Sequence, residues 1–382
     1  MKILIVRTFP NIIDPSSYNI QEIGLAKALT RKGHECGIVL YYGKNEDTIE
    51  KTEVVCEDEK REITIYRLHG FSLLKNGFFP SLHKIIKEYD IIQVHEYDQI
   101  TSWLYYAWSK KPVVIYHGPY EHPFNKGYNL KCKIFDRTFL KIKQNKNTMC
   151  LTKSHAAAEF LKNRKFLNVT AVGVGLDAEN FTKAGLAEYL SIPISEEKFN
   201  LIYVGKIEER RNPDFLLEIF EKVCAINDRI NTIIIGNGER EYTKCFLQKA
   251  QKLIRSGKLQ YYPKASQVQL ADVYRKSQLM VFPTNYDIFG MVLLEAFYYD
   301  LPVISSQNGG ADMLLSNGKN GIFMEDFSSE NWVGTIDELS RNRTKYQEMK
   351  QYLANRGKEY LLWDTKAEEF VRIYEKAIQL KN

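Results

Sequence analysis

Residues 277–312 read SQLMVFPTNYDIFGMVLLEAFYYDLPVISSQNGGAD, and their alternation of apolar and polar stretches is the clearest indication of the fold. An apolar run over 279–282 ends at Pro283, a polar loop follows, and Gly290 opens a longer apolar stretch before a second short run begins at Leu301. Short Val- and Ile-rich runs bounded by Gly and Pro are typical of buried strands. The segment therefore predicts a strand, a helix and a second strand parallel to the first.

The same alternation recurs on both sides of this segment. Further candidate strands stand at residues 2–6, 36–42, 90–95, 112–118 and 147–152, and then at 199–206, 231–238 and 258–265. Amphipathic stretches of helical length separate them, among them 20–34 and 213–227. Two successive series of strands and helices predict an α/β protein with two Rossmann-like parallel sheets.

The two series meet in a polar stretch with a Pro, residues 181–198, which we interpret as a linker. We accordingly place an N-terminal domain at 1–182 and a C-terminal domain at 183–363. An amphipathic stretch at 366–380 predicts a final helix within 364–382.

Composition excludes several classes of protein. The 382 residues are 44% hydrophobic and 26% charged, which is ordinary for a globular protein and excludes disordered and fibrous chains. The net charge of +6 is too small to indicate nucleic-acid binding, and it is compatible with an anionic ligand or membrane surface. The six Cys residues show no Cys-x-x-Cys spacing, so neither a metal motif nor a redox motif is predicted.

The N-terminal stretch MKILIVRTFP is interpreted as a buried strand and not as a signal peptide, because Arg7 and Pro10 interrupt its apolar run. No stretch of the sequence approaches the roughly 18 apolar residues of a membrane-spanning helix. We therefore expect a cytoplasmic protein.

Ligands of open α/β sheets bind at the carboxyl ends of the strands, so the residues after each strand are the candidate site. Gly290 begins a helix, and the free N–H groups of a helix N-terminus are suited to a phosphate. Glu295 lies in the apolar stretch MVLLEAF, where an unpaired carboxylate would be costly. Its partner is expected to be either the hydroxyls of a ligand or a nearby Lys or Arg.

The segment 283–312 resembles the retaining glycosyltransferases of the GT-B fold, glycosyltransferase family 4. That family carries two Glu separated by seven residues, with Phe-Gly between them and Ala after the second. The matching residues here are Asp287, Phe289, Gly290, Glu295 and Ala296, followed by Pro302, Val303, Gly309 and Gly310. The resemblance implies that Asp287, which replaces the first Glu, contacts the donor sugar, and that Glu295 binds the ribose.

A second stretch, YVGKIEERRNP (203–213), resembles the family's Gly-Arg-Leu, three residues, Lys-Gly pattern with Arg and Lys exchanged. The resemblance implies that Lys206 and Arg211, after Gly205, hold the pyrophosphate, with Arg210 as an alternative partner. Two cations would neutralise the charge that develops on a diphosphate leaving group. The alternative interpretation is a solvated surface run of charges.

Further positions of the donor site follow from the same resemblance. Gly236 belongs to a strand followed by Gly-x-Gly, Lys264 lies where the backbone meets the base, and Ile288 lies in the loop before Gly290. His117, which follows a strand, is implied to lie near the donor sugar. A His that caps the strand end is the alternative, and His95 in QVHEYD is interpreted as structural.

The acceptor is implied to bind the N-terminal domain. The family has a Gly pair before its first helix, and Ser16, Ser17 and Tyr18 stand there in this chain. Residues 126–146 form a second candidate surface, because apolar residues alternate at helical spacing with seven cations: Lys126, Lys131, Lys133, Arg137, Lys141, Lys143 and Lys146. A basic amphipathic helix is typical of a membrane surface, and an ordinary packed helix with a solvated basic face is the alternative.

The resemblance as a whole implies a hexosyltransferase without cofactor or metal. It would move a sugar from a UDP- or GDP-linked donor to a hydroxyl of a saccharide or lipid-linked saccharide, with retention of configuration. No nucleic-acid partner is expected. It also implies two domains facing a central cleft, with the C-terminal helix crossing back to the first domain. We expect a role in cell-surface polysaccharide synthesis at the inner face of the membrane. The alternatives are a transferase for a soluble metabolite, a non-catalytic nucleotide-sugar-binding subunit, and an epimerase or phosphorylase of the same architecture.

Overall fold

The computed structural model describes residues 1–56, 59–177, 179 and 192–381. The chain divides into two compact units, an N-terminal unit of residues 1–177 with 359–382 and a C-terminal unit of residues 178–358. Most of the predicted linker 181–198, and the predicted boundary at residues 182 and 183, lie outside the described residues.

The N-terminal unit is built on an eight-stranded sheet. Its order is β10-β9-β8-β7-β1-β2-β4-β3, and all neighbours are parallel except β3 and β4. The strands are β1 Lys2–Val6, β2 Glu35–Tyr41, β3 Thr48–Val55, β4 Lys60–Leu68, β7 Ile91–His95, β8 Val113–His117, β9 Met149–Thr152 and β10 Asn168–Ala171, and the hairpin β5 Phe71–Leu73 and β6 Asn76–Phe78 stands apart.

Six helices of this unit precede its last segment. They are α1 Gln21–Arg31, α2 Leu82–Ile85, α3 Ile100–Trp108, α4 Lys126–Arg137, α5 Phe139–Ile142 and α6 His155–Lys162. Gly33, with φ of +89°, follows the end of α1, where the left-handed backbone favours Gly. The predicted helical stretch 126–146 is thus two helices, which meet at Thr138.

The C-terminal unit is built on a six-stranded, entirely parallel sheet of order β13-β12-β11-β14-β15-β16. Its strands are β11 Phe199–Val204, β12 Ile230–Ile235, β13 Leu259–Tyr262, β14 Leu279–Phe282, β15 Val303–Ser306 and β16 Gly321–Met324. Its helices are α7 Pro213–Ile226, α8 Arg240–Arg255, α9 Gln267–Lys276, α10 Met291–Tyr298, α11 Gly309–Leu314, α12 Ser329–Arg341 and α13 Arg343–Arg356.

The last helix, α14 Trp363–Gln379, belongs to the N-terminal unit and packs on α1. Trp363 is fully buried, and a Cβ on Gly24 of α1 would overlap its indole. Ion pairs join the same helices, from Arg31 to Asp364 at 2.6 Å and from Lys32 to Glu368 at 3.0 Å. The expected return of the C-terminal helix to the first unit is confirmed.

Each sheet reverses its strand order beside its first strand, at β1 and β7 in one unit and at β11 and β14 in the other. Such reversal points leave a crevice at the carboxyl ends of the strands. The expectation of two Rossmann-like parallel sheets is confirmed. Among the described residues, no helix combines the length and apolar character needed to cross a bilayer.

Candidate functional site

The carboxyl ends of β11 and β12 bring two glycine turns into direct contact. A Cβ on Gly236 would overlap the carbonyl oxygen of Gly205, and one on Gly238 would overlap the carbonyl oxygen of Ile207. The parallel pairing continues past the strands, because the N–H of Ile207 donates to the carbonyl of Asn237 at 2.9 Å. The close contact of the two turns therefore requires Gly at positions 236 and 238.

The turn after Gly205 presents the predicted cations. Lys206 is exposed, and Arg211 lies in a short 3-10 turn, Glu209–Arg211, that leads into α7. Asn212 joins this turn to the helix with φ of 55° and ψ of 48°. This left-handed position explains why Asn can stand where the family pattern has Gly, since both residue types tolerate that conformation.

The structure pairs two residues to which the sequence assigned separate roles. The Arg211 guanidinium forms an ion pair and a hydrogen bond with the carboxylate of Asp287, whose side chain is 10% exposed. Arg210 supports the same loop, because its Nη1 donates to the carbonyl of Tyr286 at 3.2 Å and lies 3.7 Å from Asp287 Oδ1. The residue predicted to bind phosphate and the residue predicted to contact the sugar thus lie side by side.

The loop containing Asp287 leads through Ile288 and the buried Phe289 into α10. Gly290 occupies the position before this helix with φ of +77°, a conformation that a side chain would strain. A Cβ on Gly310 would overlap the carbonyl oxygen of Phe289, so the Gly pair lets α11 approach the loop closely. Asn308 caps α11 by accepting from the N–H groups of Gly310 and Ala311.

Glu295 lies on α10 and is 5% exposed. Its Oε2 accepts a hydrogen bond from the hydroxyl of Tyr274 at 2.9 Å, and the Tyr274 ring stacks on Tyr299 with centroids 5.6 Å apart. A phenol hydroxyl was neither of the two partners that the sequence suggested. This hydrogen bond orients the carboxylate.

An open groove of about 500 Å³ runs beside the Gly236 turn. It lies between α8 and the end of β13, and its lining includes Gly238, Arg240, Lys244, Tyr261 and Pro263. Lys264 follows Pro263 and is exposed. This groove is of suitable size for a nucleobase beside the two glycine turns.

In the N-terminal unit, His117 at the end of β8 is completely buried. Its Nδ1 contacts the carboxylate of Glu96, its ring stacks on Phe160 at 5.5 Å, and Tyr97 packs edge-on at 5.3 Å. The N–H of Gly118 donates to the same Glu96 carboxylate at 3.0 Å. The sequence analysis missed Glu96, although it directly follows a predicted strand and the flagged His95.

The electrostatics of Glu96 favour its ionised form. Burial alone would raise the pKa of this carboxyl, but the facing His117 imidazole, Lys153 and the Gly118 N–H together lower it to about 2. Its backbone has φ of 60°, which is uncommon for Glu and concentrates at functional sites. Burial and backbone conformation are not visible in a sequence, so only the position after the strand could have indicated this residue.

Three ligand atoms, from Glu96, Asp98 and His117, lie within 4.8 Å of one another, as in a metal site. Asp98 already pairs with Lys131 at 2.8 Å, however, and Lys153 stands near Glu96. Two lysines beside three donors do not fit a divalent cation. The metal-free character of the site stays a prediction.

Two other predicted positions have local partners. The Ser16 hydroxyl donates to Asp14 at 2.8 Å, and the Ser17 N–H donates to the Asp14 carbonyl at 2.9 Å, so both residues belong to a turn within their own loop. His95 Nδ1 lies 3.4 Å from the buried Glu22 carboxylate, which Arg7 also contacts at 3.2 Å. These contacts agree with the structural interpretation of His95.

Comparison with known proteins identifies the family. Residues 191–358 match the profile described as glycosyl transferases group 1, and residues 23–179 match that described as glycosyltransferase family 4. A D-inositol 3-phosphate glycosyltransferase of Rhodococcus erythropolis is 27% identical over 192 residues, covering 49% of this chain and 43% of the relative. A probable sucrose-phosphate synthase of Thermosipho melanesiensis is also 27% identical, over 47% of this chain and 42% of the relative. The chain thus matches less than half the length of these curated relatives.

Solved structures agree with the fold. HepE of Anabaena in complex with UDP has a TM-score of 0.70 at 13% identity, covering 98% of this chain and 100% of that chain. A sucrose-phosphate synthase from Thermosynechococcus elongatus has a TM-score of 0.69 at 13% identity, over 98% of this chain and 99% of that chain. The sheets, the family profiles and these folds lead to one conclusion: the chain belongs to the group 1 glycosyltransferases, glycosyltransferase family 4, and has the GT-B type of fold.

Proposed function

We propose that the protein transfers a hexosyl unit from a nucleotide sugar to a hydroxyl of a saccharide acceptor with retention of configuration. The observation that carries this proposal is the meeting of Arg211 and Asp287 at the start of α10. A cation for a diphosphate, a carboxylate for a sugar hydroxyl and the N-terminus of a helix then surround one point.

In this proposal, donor binding separates Arg211 from Asp287, and each of the two residues then contacts the donor. The diphosphate takes Lys206 and Arg211, which neutralise the charge that grows on the leaving group. Asp287, released from Arg211, accepts a hydroxyl of the sugar. Glu295, held by Tyr274, accepts the ribose hydroxyls, and the base occupies the groove near Gly236 and Lys264. For His117, whose imidazole contacts Glu96, we propose contact with the donor sugar.

The donor is proposed to be a UDP-sugar, with a GDP-sugar as the alternative. HepE of Anabaena, which shares the fold, has been solved with UDP, and another of its structures contains UDP-glucose. No metal is required in this proposal, because the two cations and the helix N-terminus take its electrostatic role. Activity should therefore persist in EDTA.

The acceptor is proposed to be a lipid-linked saccharide of cell-surface polysaccharide synthesis, reached from the inner face of the membrane. The support is the basic segment 126–146, where α4 exposes Leu130 and Ile134 among its cations. Lys131 does not contribute to this charge, because it pairs with the buried Asp98. The D-inositol 3-phosphate glycosyltransferase and the probable sucrose-phosphate synthase to which the chain is similar favour a second candidate, a soluble phosphorylated sugar or polyol as acceptor.

The test is the release of nucleoside diphosphate from UDP- and GDP-hexoses, with membrane extract, aqueous extract or no acceptor. Acceptor-dependent release supports transfer, and the extract that stimulates it distinguishes the two acceptors. Binding of donor without stimulation by either extract would instead indicate a nucleotide-sugar-binding subunit.

Glu295→Ala provides the matched variant for this test. It should lose donor binding and nearly all turnover, since a hydrogen bond to a charged group is worth about 1.5–3 kcal/mol. Tyr274→Phe removes only the hydroxyl that holds the carboxylate and should have a smaller effect. Wild-type turnover in a folded Glu295→Ala protein would contradict the assigned donor site.

A further inference from the structure

One flank of the N-terminal unit, formed by α3, α4 and α5, exposes apolar side chains in two stripes. On α3, Leu104 and Trp108 lie one turn apart and are 45% and 53% exposed. On α4, Leu130 and Ile134 have the same spacing and are also exposed, and Ile142 at the end of α5 is 67% exposed. We call this surface, residues 104–108 with 130–142, the helical flank.

The elements of the helical flank are packed together. The Trp103 ring lies 5.1 Å from Phe139 of α5, and its Nε1 donates to the carbonyl of Lys143 at 2.9 Å. Phe139 in turn stacks on Phe135 of α4 at 4.9 Å. The three helices that carry the exposed residues are therefore packed against one another.

Trp108 differs from the other tryptophans of the chain. Trp103 is 7% exposed, and Trp332 and Trp363 are fully buried. Trp108 instead projects from the last turn of α3, with the Lys143 ammonium 4.1 Å from its ring centroid. An exposed Trp beside a Lys is the arrangement found where proteins meet lipid headgroups.

The charge of this region is predominantly positive. The sequence contains no Asp or Glu over residues 99–120 or over residues 137–158. Asp98 and Asp136 are each paired with a cation, Lys131 and Arg164 respectively, and Glu121, five residues before α4, is exposed. The exposed cations are Lys110, Lys126, Lys133, Arg137, Lys141, Lys143 and Lys146.

We propose that the helical flank docks on an anionic lipid surface, with Trp108 inserted at headgroup depth and the surrounding cations against lipid phosphates. Apolar burial and attraction to anionic lipid act together in such a contact. The exposed aliphatic residues Leu104, Ile134 and Ile142 favour lipid over nucleic acid, since acyl chains bury them and phosphodiester chains do not. This inference rests on the proposed function and specifies its membrane partner. It places the main anchor on α3 instead of α4.

Tryptophan fluorescence tests the proposal directly, because three of the four indoles are buried. The full chain is mixed with vesicles of phosphatidylcholine and phosphatidylglycerol in equal amounts, some carrying bromine on the acyl chains. Quenching by the bromine is expected, and Trp108→Phe should abolish it. The quenching should fall with added salt and be absent with pure phosphatidylcholine.

Vesicle sedimentation measures the energetic contributions. Replacing Lys133, Arg137 and Lys141 with Gln should weaken binding on the order of 100-fold, and Trp108→Ala about tenfold. The matched control replaces Lys249, Lys252 and Arg255 on α8, which removes the same three charges from an exposed helix of the other unit. It should leave binding nearly unchanged.

Three results would overturn the proposal: no quenching at low salt, equal loss in the control variant, or preference for single-stranded RNA over the anionic vesicles. Hexosyl transfer is measured separately. Vesicle binding without transfer would leave the docking surface standing and refute the proposed function. Transfer to a soluble acceptor without vesicle binding would do the reverse.

Discussion

Arg211 and Asp287 form an ion pair with one another, and the proposed donor site requires both side chains. Removing the carboxylate in Asp287→Asn should free Arg211 for phosphate and remove a negative charge from beside the diphosphate. We expect UDP to bind several-fold more tightly, since an interaction of about 1 kcal/mol corresponds to roughly fivefold, while hexosyl transfer falls. Calorimetric titration with UDP measures the first effect and nucleotide release the second.

Asp287→Glu is the control, because it retains the charge and restores the residue type of the family pattern. Its UDP affinity should stay close to that of the wild type. Weaker UDP binding by Asp287→Asn would show that the ion pair positions Arg211 for the phosphate and does not compete with it.

His95 supplies a pH dependence of stability. Burial lowers the pKa of its imidazole to about 4, against the opposing effect of the Glu22 carboxylate; Lys153 and Arg7 lower it further and Glu96 raises it. The folded protein thus keeps His95 neutral, while the unfolded chain takes up a proton near pH 6.5. The free energy of unfolding should therefore be highest above pH 6.5 and fall as the pH decreases towards 4.

Urea unfolding at pH 7 and pH 5 measures this effect. His95→Gln should reduce the difference between the two values, at up to about 1.4 kcal/mol for each pKa unit. His83→Gln, at an exposed position, serves as the control and should keep the wild-type difference. An unchanged difference in His95→Gln would mean that other groups cause the acid sensitivity.

At the level of elements, the start of α7 depends on the backbone of Asn212. Its left-handed conformation costs an ordinary L-residue roughly 1–2 kcal/mol, and Asn and Gly less. Asn212→Ala should lower the free energy of unfolding by about 1 kcal/mol, whereas Asn212→Gly should be nearly neutral. Denaturant titration compares the two, and equal losses would indicate that the Asn side chain itself is needed.

Most of the strands that the sequence predicts are buried along nearly their whole length, and β13, with one buried residue of four, is an exception. In β11, for example, five of six residues are buried, and their apolar run is visible without any structure. β3 was not predicted, because it is an edge strand whose exposed faces carry Glu and Lys in place of an apolar pattern. The hairpin of β5 and β6 is only three residues a side and has no periodicity to detect.

The candidate site likewise contains residues that the sequence indicates and contacts that only the fold shows. Asp287, Gly290 and Glu295 could be proposed from the sequence because a local pattern of residue types carries them. The pairing of Arg211 with Asp287 could not, since 76 residues separate the two and only the adjacency of β11 and β14 brings them together. Tyr274, which holds Glu295, comes from a different helix and was missed for the same reason.

For the molecule as a whole, the two units should respond separately to core mutations. Trp363→Ala removes a fully buried indole from the N-terminal unit and should cost about 3–5 kcal/mol. Trp332→Ala makes the equivalent change in the C-terminal unit. Hydrogen exchange should show faster opening of β1 and β2 in the first variant and of β11 and β12 in the second. Loss of protection in both sheets from either change would mean that the chain unfolds as one cooperative body.

The position of α14 has a consequence for synthesis. The N-terminal unit is made of two segments, residues 1–177 and 359–382, and residues 178–358 are translated between them. At about 5–20 residues per second, translation of the intervening residues takes roughly tens of seconds. Only after that time can Trp363 cover the face of α1 at Gly24. During that time the nascent chain presents an apolar surface that a chaperone can bind, while the later-made unit is already able to fold. Synthesis of the N-terminal unit thus begins before that of the C-terminal unit and ends after it.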